Sequence, residues 1–178
     1  MHARINDGMR LFTGIAPTPE VIANLEPVLA RVKGVPVENL HVTTKFIGQW
    51  PEARLAELEA ALSQIHTPAP FRVRIAGLGL FPGTLYAQVH AGAELPELAR
   101  SIDTGLERLG CAREKRPYTP HLTLARLKHE NIGELRQMIT NMADTDFGSF
   151  EATEFHLYLS KAGPGGSVYT KLSTWRLA

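Results

Sequence analysis

Two phrases of one form recur 80 residues apart: His41-Val42-Thr43-Thr44 and His121-Leu122-Thr123-Leu124 both read His-x-Thr-x. Each lies in a short β-favouring stretch, where successive side chains point to opposite faces. His41 and Thr43 therefore share a face, as do His121 and Thr123. Two imidazoles carried by distant strands become useful only when the fold brings those strands together. They then form a general base and a general acid, each titrating near pH 6.5 when unperturbed. The hydroxyl two residues on can orient an imidazole or donate to an oxyanion. Such a pair suits displacement at phosphorus, one group taking a proton from the nucleophile and one giving a proton to the leaving oxygen. With seven His and fourteen Thr in 178 residues, about half of one such match is expected by chance. The flanking residues must carry the assignment.

Composition bounds the rest. A chain of 178 residues with 44% hydrophobic content suits one domain with a sizeable core. No apolar run approaches the roughly 20 residues that span a bilayer. Residues 1–8 lack an apolar signal region and are expected to be an extension before a single domain over 9–178. Cys111 is the only cysteine, which excludes an internal disulfide and a thiolate metal cluster and suits a reducing cytoplasm. A formal net charge of +1 means that an anionic partner is held by a local cluster, not by the field of the whole protein. No heptad or sticky stripe calls for assembly, so a monomer is expected.

The order of elements points to an α+β fold. A strand at 9–15 precedes a helix from Pro19 to about Val32, with Thr18 as N-cap and Ile22, Leu25, Val28, Leu29 and Val32 on one face. Pro27 predicts a kink or a division there. The first motif strand covers 40–47 and stops at Gly48. A second helix opens at Pro51, with Leu55, Leu58, Ala61, Leu62 and Ile65 inward. Residues 71–75 form a strand, 77–83 a loop with a bulky apolar pair, and 84–90 a strand paired to the last as a hairpin. A helix at 95–109 and a loop at 111–120 lead into the second motif strand, 121–126. A helix at 132–142 and strands near 147–150, 153–160 and 168–177 complete the chain. Hairpins argue for antiparallel pairing, and no G-x-G-x-x-G or P-loop phrase supports a nucleotide cofactor.

The extended phrases, Asn39-Leu40-His41-Val42-Thr43-Thr44-Lys45-Phe46-Ile47-Gly48 and Arg116-Pro117-Tyr118-Thr119-Pro120-His121-Leu122-Thr123-Leu124-Ala125-Arg126, resemble the paired signatures of the two-histidine phosphoesterase superfamily. Within it the chain is most similar to bacterial and archaeal RNA 2′,3′-cyclic phosphodiesterases, also called 2′-5′ RNA ligases. Arg10-Leu11-Phe12, Gly77-Leu78-Gly79 and Glu154-Phe155-His156-Leu157-Tyr158 extend the likeness over most of the chain from Met9. The resemblance implies a bilobal, pseudo-duplicated α+β fold, with antiparallel sheets, helices outside and one His-x-Thr-x strand per lobe facing a central cleft. It departs at Thr44, where the family usually has an apolar residue, and a structural cost is expected there.

Carried over, the resemblance makes His41 and His121 the acid–base pair, with His121 as base and His41 as acid in hydrolysis. Thr43 and Thr123 contact phosphate oxygens, and Arg126 neutralises the phosphate. The expected substrate is RNA with a 2′,3′-cyclic phosphate end or a small cyclic-phosphate nucleotide, opened to a 2′-phosphate, with 2′-5′ ligation as the reverse reaction. Strict alternation puts Arg126 on the wrong face, so it reaches the cleft only if the strand bends or bulges. The same alternation puts Lys45 on the cleft face, as a rim phosphate contact. Tyr118 and Phe81, in loops, can stack a base, and Phe46 reads as packing. His66, His90, His129 and His156 form no second site, and no acidic or histidine cluster predicts a metal or cofactor. The rivals are a related phosphodiesterase acting on 2′-5′ oligonucleotides or ADP-ribose cyclic phosphate, and a non-catalytic RNA-binding module.

Overall fold

The computed structural model describes residues 8–128 and 131–178. Among these, the strands are β1 (Gly8–Ile15), β2 (Val42–Pro51), β3 (Phe71–Phe81), β4 (Thr84–Ala91), β5 (His121–Arg126), β6 (Asp146–Ala152), β7 (Glu154–Gly163) and β8 (Gly166–Arg176). The helices are α1 (Pro19–Val32), α2 (Leu55–Leu62), α3 (Glu94–Glu107) and α4 (Ile132–Asn141). The strands form one sheet in the order β6-β3-β4-β5-β2-β1-β7-β8, antiparallel throughout. No described helix is long and apolar enough to cross a membrane.

The two motif strands are the central pair, joined through Val42 opposite Leu122. The β3–β4 hairpin flanks the second motif strand, whereas the β7–β8 hairpin returns to pair with β1 and flanks the first. One half of the sheet is therefore built from both ends of the chain, and the other from its middle. Helix α1 packs against β5 and β6, and α3 against β2, so each helix braces the half that holds the other motif. Val42, Leu122 and Leu124 are buried with Leu25, Val28, Leu98 and Ile102 in the core on this side.

Several expected boundaries move. Helix α1 runs unbroken through Pro27. The missing N–H frees the carbonyl of Ala23, and both residues are exposed, so water can satisfy it while Val21, Leu25, Val28, Leu29 and Val32 hold the helix to the core. Thr18 occupies the N-cap position without a side-chain hydrogen bond. Gly48 does not stop β2. It takes φ 81°, and the strand continues to Pro51, so α2 begins later than Pro51. The expected loop at 77–83 is mostly strand: β3 extends to Phe81 across an irregularity between Ile75 and Leu78, where Gly77 takes φ 79°. His129 and most of the expected extension lie outside the described residues.

Candidate active site

One local device sets the site, and it occurs twice. In the β1–β2 ladder Gly14 faces Thr43 but Thr13 faces Lys45, leaving Thr44 as an extra residue. In the β4–β5 ladder Tyr86 faces Thr123 but Leu85 faces Ala125, leaving Leu124 extra. Each motif strand thus bulges immediately after its threonine, and a one-residue bulge reverses the faces beyond it. Burial follows in step. His41 and Thr43 are half-buried, Val42, Thr44 and Lys45 are buried, and Phe46 is exposed; His121, Thr123, Leu122, Leu124, Ala125 and Arg126 repeat the pattern.

The bulge resolves the Arg126 difficulty: the guanidinium stands on the histidine face, where Nη1 donates to Thr84 Oγ1 at 2.9 Å. It also removes Lys45 from that face, contrary to the alternation argument. Lys45 is 6% exposed and takes the place equivalent to Ala125. Its Nζ donates to Asp103 Oδ1 at 2.6 Å and to the Ala112 carbonyl at 3.0 Å. Asp103 also accepts from the Glu114 amide at 3.0 Å. Burial opposes ionisation of Asp103, but the Lys45 and Glu114 hydrogen bonds and the charges of Lys45 and Arg113 hold its carboxyl below the usual range. The network ties β2 and α3 to the loop that carries Tyr118 and Thr119. The cost expected at Thr44 is offset, since its hydroxyl lies 2.7 Å from that of buried Thr13.

Both histidines are held alike. His41 Nδ1 lies 2.7 Å from the Asn39 carbonyl oxygen, and His121 Nδ1 lies 2.9 Å from that of Thr119. A carbonyl only accepts, so in each ring Nδ1 carries the proton and Nε2 is left as the nitrogen with a free lone pair. His41 Nε2 accepts from Thr43 Oγ1 at 2.8 Å. With Val42 opposite Leu122, antiparallel register sets His41 beside Thr123 and His121 beside Thr43. Aromatic rings wall both imidazoles. Phe12 lies 4.6 Å and Tyr169 5.4 Å from His41, centroid to centroid. Phe81, stacked on Tyr86 at 4.2 Å, meets His121 edge-on at 5.1 Å. Gly14 makes room for this packing, because a Cβ there would lie 3.3 Å from His41 Cδ2 and 2.9 Å from the Val42 carbonyl.

Tyr118 is not free to stack a base as expected. Its ring packs against the core, and its hydroxyl donates to the Thr43 carbonyl at 2.7 Å. That bond clamps the loop before His121 onto the strand of His41. His156 is buried, with Nδ1 2.8 Å from Thr174 Oγ1. Phe12 and Tyr158 entered the sequence reading only as parts of the resemblance, and Tyr86 and Tyr169 not at all, since a strand aromatic carries no sign of which distant residue it will touch. Among the described residues no group of three or more His, Cys, Asp or Glu side chains could hold a metal ion.

Burial pulls the His41 pKa down to about 4; the Asn39 hydrogen bond opposes this, and the charges of His121 and Arg126 add to it. A neutral His41 is thus built into the native site. The unfolded chain takes up this proton near pH 6.5 and the native one only near pH 4. Stability contributed by His41 is accordingly present above about pH 6.5 and lost as pH falls towards 4, by at most about 3 kcal/mol. Urea unfolding at pH 7 and pH 5 should show that loss, and His41→Gln should flatten it. An equal pH slope in the variant would contradict it.

The family model described as the 2′-5′ RNA ligase superfamily matches residues 14–164, both motif strands included. The chain belongs to this superfamily. A Methanocaldococcus jannaschii relative named RNA 2′,3′-cyclic phosphodiesterase is 34% identical over 181 residues, covering 94% of this chain and 100% of that protein. A Methanothermobacter thermautotrophicus protein of the same name is 36% identical over 155 residues, 83% of this chain and 84% of its own. Among solved structures, TT0787 of Thermus thermophilus superposes with a TM-score of 0.78 at 29% identity, covering 95% of this chain and 98% of that one. Escherichia coli LigT complexed with 3′-AMP, 24% identical, has the same fold at a TM-score of 0.78. The match to the 2′-5′ RNA ligase superfamily thus runs from the end of β1 through β7, well beyond the central pair of strands.

Proposed function

We propose that this protein is a metal-independent RNA 2′,3′-cyclic phosphodiesterase in which His41 and His121 are the catalytic pair. The observation that carries the reading is the pairing of the two motif strands, which presents two Nε2 atoms with Nδ1 fixed on backbone carbonyls. Membership of a superfamily whose relatives are named for this activity supports it. In hydrolysis His121 Nε2 takes a proton from water as its oxygen bonds to phosphorus. The phosphorus–O3′ bond breaks, and His41 Nε2 delivers a proton to the departing oxygen. Thr43, Thr123 and Arg126 stabilise the non-bridging oxygens. Phe81 borders the substrate beside His121.

His41 is neutral in the free protein, so the acid must be charged by its substrate. A phosphodiester anion seated beside His41 favours the imidazolium and raises the pKa. Ligation is not the reverse of this hydrolysis but the same displacement with a 5′-hydroxyl in place of water. His121 takes the proton of the 5′-hydroxyl as its oxygen bonds to phosphorus, the phosphorus–O3′ bond breaks with a proton from His41, and the RNA ends are joined through a 2′-5′ link.

A short RNA ending in a 2′,3′-cyclic phosphate, incubated with excess EDTA, tests the proposal. The expected product is a 2′-phosphomonoester, resistant to a 3′-specific phosphatase, formed at an undiminished rate. Loss of turnover restored by a divalent ion would overturn the metal-independent mechanism. A 3′-phosphate product would mean that the substrate sits reversed. Tight binding without turnover would leave an RNA-binding module instead.

A further inference from the structure

Asn39 stands just before the first motif strand, and its carbonyl oxygen is the anchor 2.7 Å from His41 Nδ1. It ends a short 3₁₀ turn, Val37–Asn39, outside the ladders of β2. Asn39 is 8% exposed, and its side chain reaches β8, 128 residues further along the chain. Nδ2 donates to the Ser167 carbonyl at 2.7 Å, and Oδ1 accepts from the Tyr169 amide at 3.3 Å. β8 is an edge strand of the sheet. The carboxamide there takes the place of a neighbouring strand, meeting a backbone carbonyl and a backbone amide two residues apart.

One side chain thereby ties together two groups that act on His41. The first is the peptide whose oxygen holds Nδ1–H. The second is the Tyr169 ring, which meets the imidazole edge-on at 5.4 Å. The second motif is built differently at this point. Thr119, the carbonyl anchor of His121, is exposed, and its hydroxyl donates only to the Pro117 carbonyl at 3.5 Å.

We propose that Asn39 is a positioning residue for His41, its carboxamide bolting to β8 the carbonyl that fixes the imidazole tautomer. This rests on the proposed function, in which His41 protonates O3′. An acid working from Nε2 needs its other nitrogen to keep a proton and its ring to keep one orientation. A backbone carbonyl supplies both only while its own peptide is held. The amide of that peptide makes a 3.2 Å turn bond from Leu40 to the Val37 carbonyl, and a single 3₁₀ turn is a weak support. The carboxamide adds two bonds to a strand of the sheet. In this role Asn39 acts on the acid and not on affinity.

Asn39→Ala should lower kcat on an RNA 2′,3′-cyclic phosphate about tenfold and leave KM within about twofold. A substrate with sulfur in place of the bridging 3′ oxygen should erase most of that deficit, since a thiolate leaves without a proton. Nitrogen NMR of the labelled imidazoles reads the tautomer without turnover. Native His41 should hold its proton on Nδ1 at neutral pH, and Asn39→Ala should show a mixture of both tautomers. Thermal unfolding confirms that the variant is folded. Asn39→Asp, which keeps the shape but sets an oxygen against the Ser167 carbonyl, takes its place if Asn39→Ala does not fold. Equal deficits on the two substrates, where sulfur rescues His41→Ala, would make Asn39 a cap on the β8 edge and overturn the positioning role. Sulfur rescuing neither variant would instead overturn the acid label of His41. The tautomer then decides for Asn39: a mixture upholds the positioning role, and an unchanged Nδ1–H tautomer overturns it.

Discussion

His41→Ala and His121→Ala should each lower kcat on an RNA 2′,3′-cyclic phosphate by at least about 10²-fold, roughly 2.7 kcal/mol in the barrier, without unfolding the protein. Each Nε2 is the only imidazole nitrogen free of a backbone carbonyl, so no second nitrogen can take over its proton. Neither ring belongs to the main apolar core, which lies behind Val42 and Leu122, and the folded state should survive both changes. The two roles are separable with a substrate in which sulfur replaces the bridging 3′ oxygen. A thiolate leaves without a proton, so this substrate should rescue His41→Ala and not His121→Ala. The opposite pattern would exchange the base and acid labels, and the neutral His41 of the free protein would then be the ready base. A folded double variant with near-native turnover would end the acid–base assignment altogether.

Lys45→Ala should cost about 3 kcal/mol of stability, a large share of the roughly 5–15 kcal/mol available to a domain. The Lys45 side chain is 4% exposed and that of Asp103 13%, so removing the ammonium strands a carboxylate in a poorly solvated place. Arg113, 3.7 Å away and half in solvent, compensates only in part. Replacing both partners by apolar side chains, Lys45→Met with Asp103→Leu, should recover most of the loss, because desolvation of both charges is then avoided. Urea unfolding of the two variants checks this. Unchanged stability in Lys45→Ala, with weaker RNA binding and a shallower salt dependence, would return Lys45 to the phosphate-binding role that alternation had suggested.

The sequence by itself determined what depends on residues close in the chain. The His-x-Thr-x phrases name the proposed reacting groups, since an imidazole and a hydroxyl two apart on a strand share a face whatever the fold. Helices α1, α2, α3 and α4 follow from apolar periodicity, and the hairpin turns at Pro82-Gly83 and Pro164-Gly165 make the sheet antiparallel.

Only the tertiary structure decided which side chains join the histidines. The bulges at Thr44 and Leu124 are created by the register of β1 and β4 against the motif strands, not by any local preference of those residues. A single extra residue in a ladder reverses every side chain beyond it. Lys45 therefore became a buried anchor, Arg126 came onto the histidine face, and Phe46 was left exposed beside the site. The return of β7 and β8 to β1 is likewise a long-range pairing, and it sets Tyr169 against His41 from 128 residues away. The neutral state of His41 has the same origin. Burial among rings from β1, β7 and β8, with the charges of His121 and Arg126 nearby, sets its pKa, and none of those neighbours adjoins it in the chain.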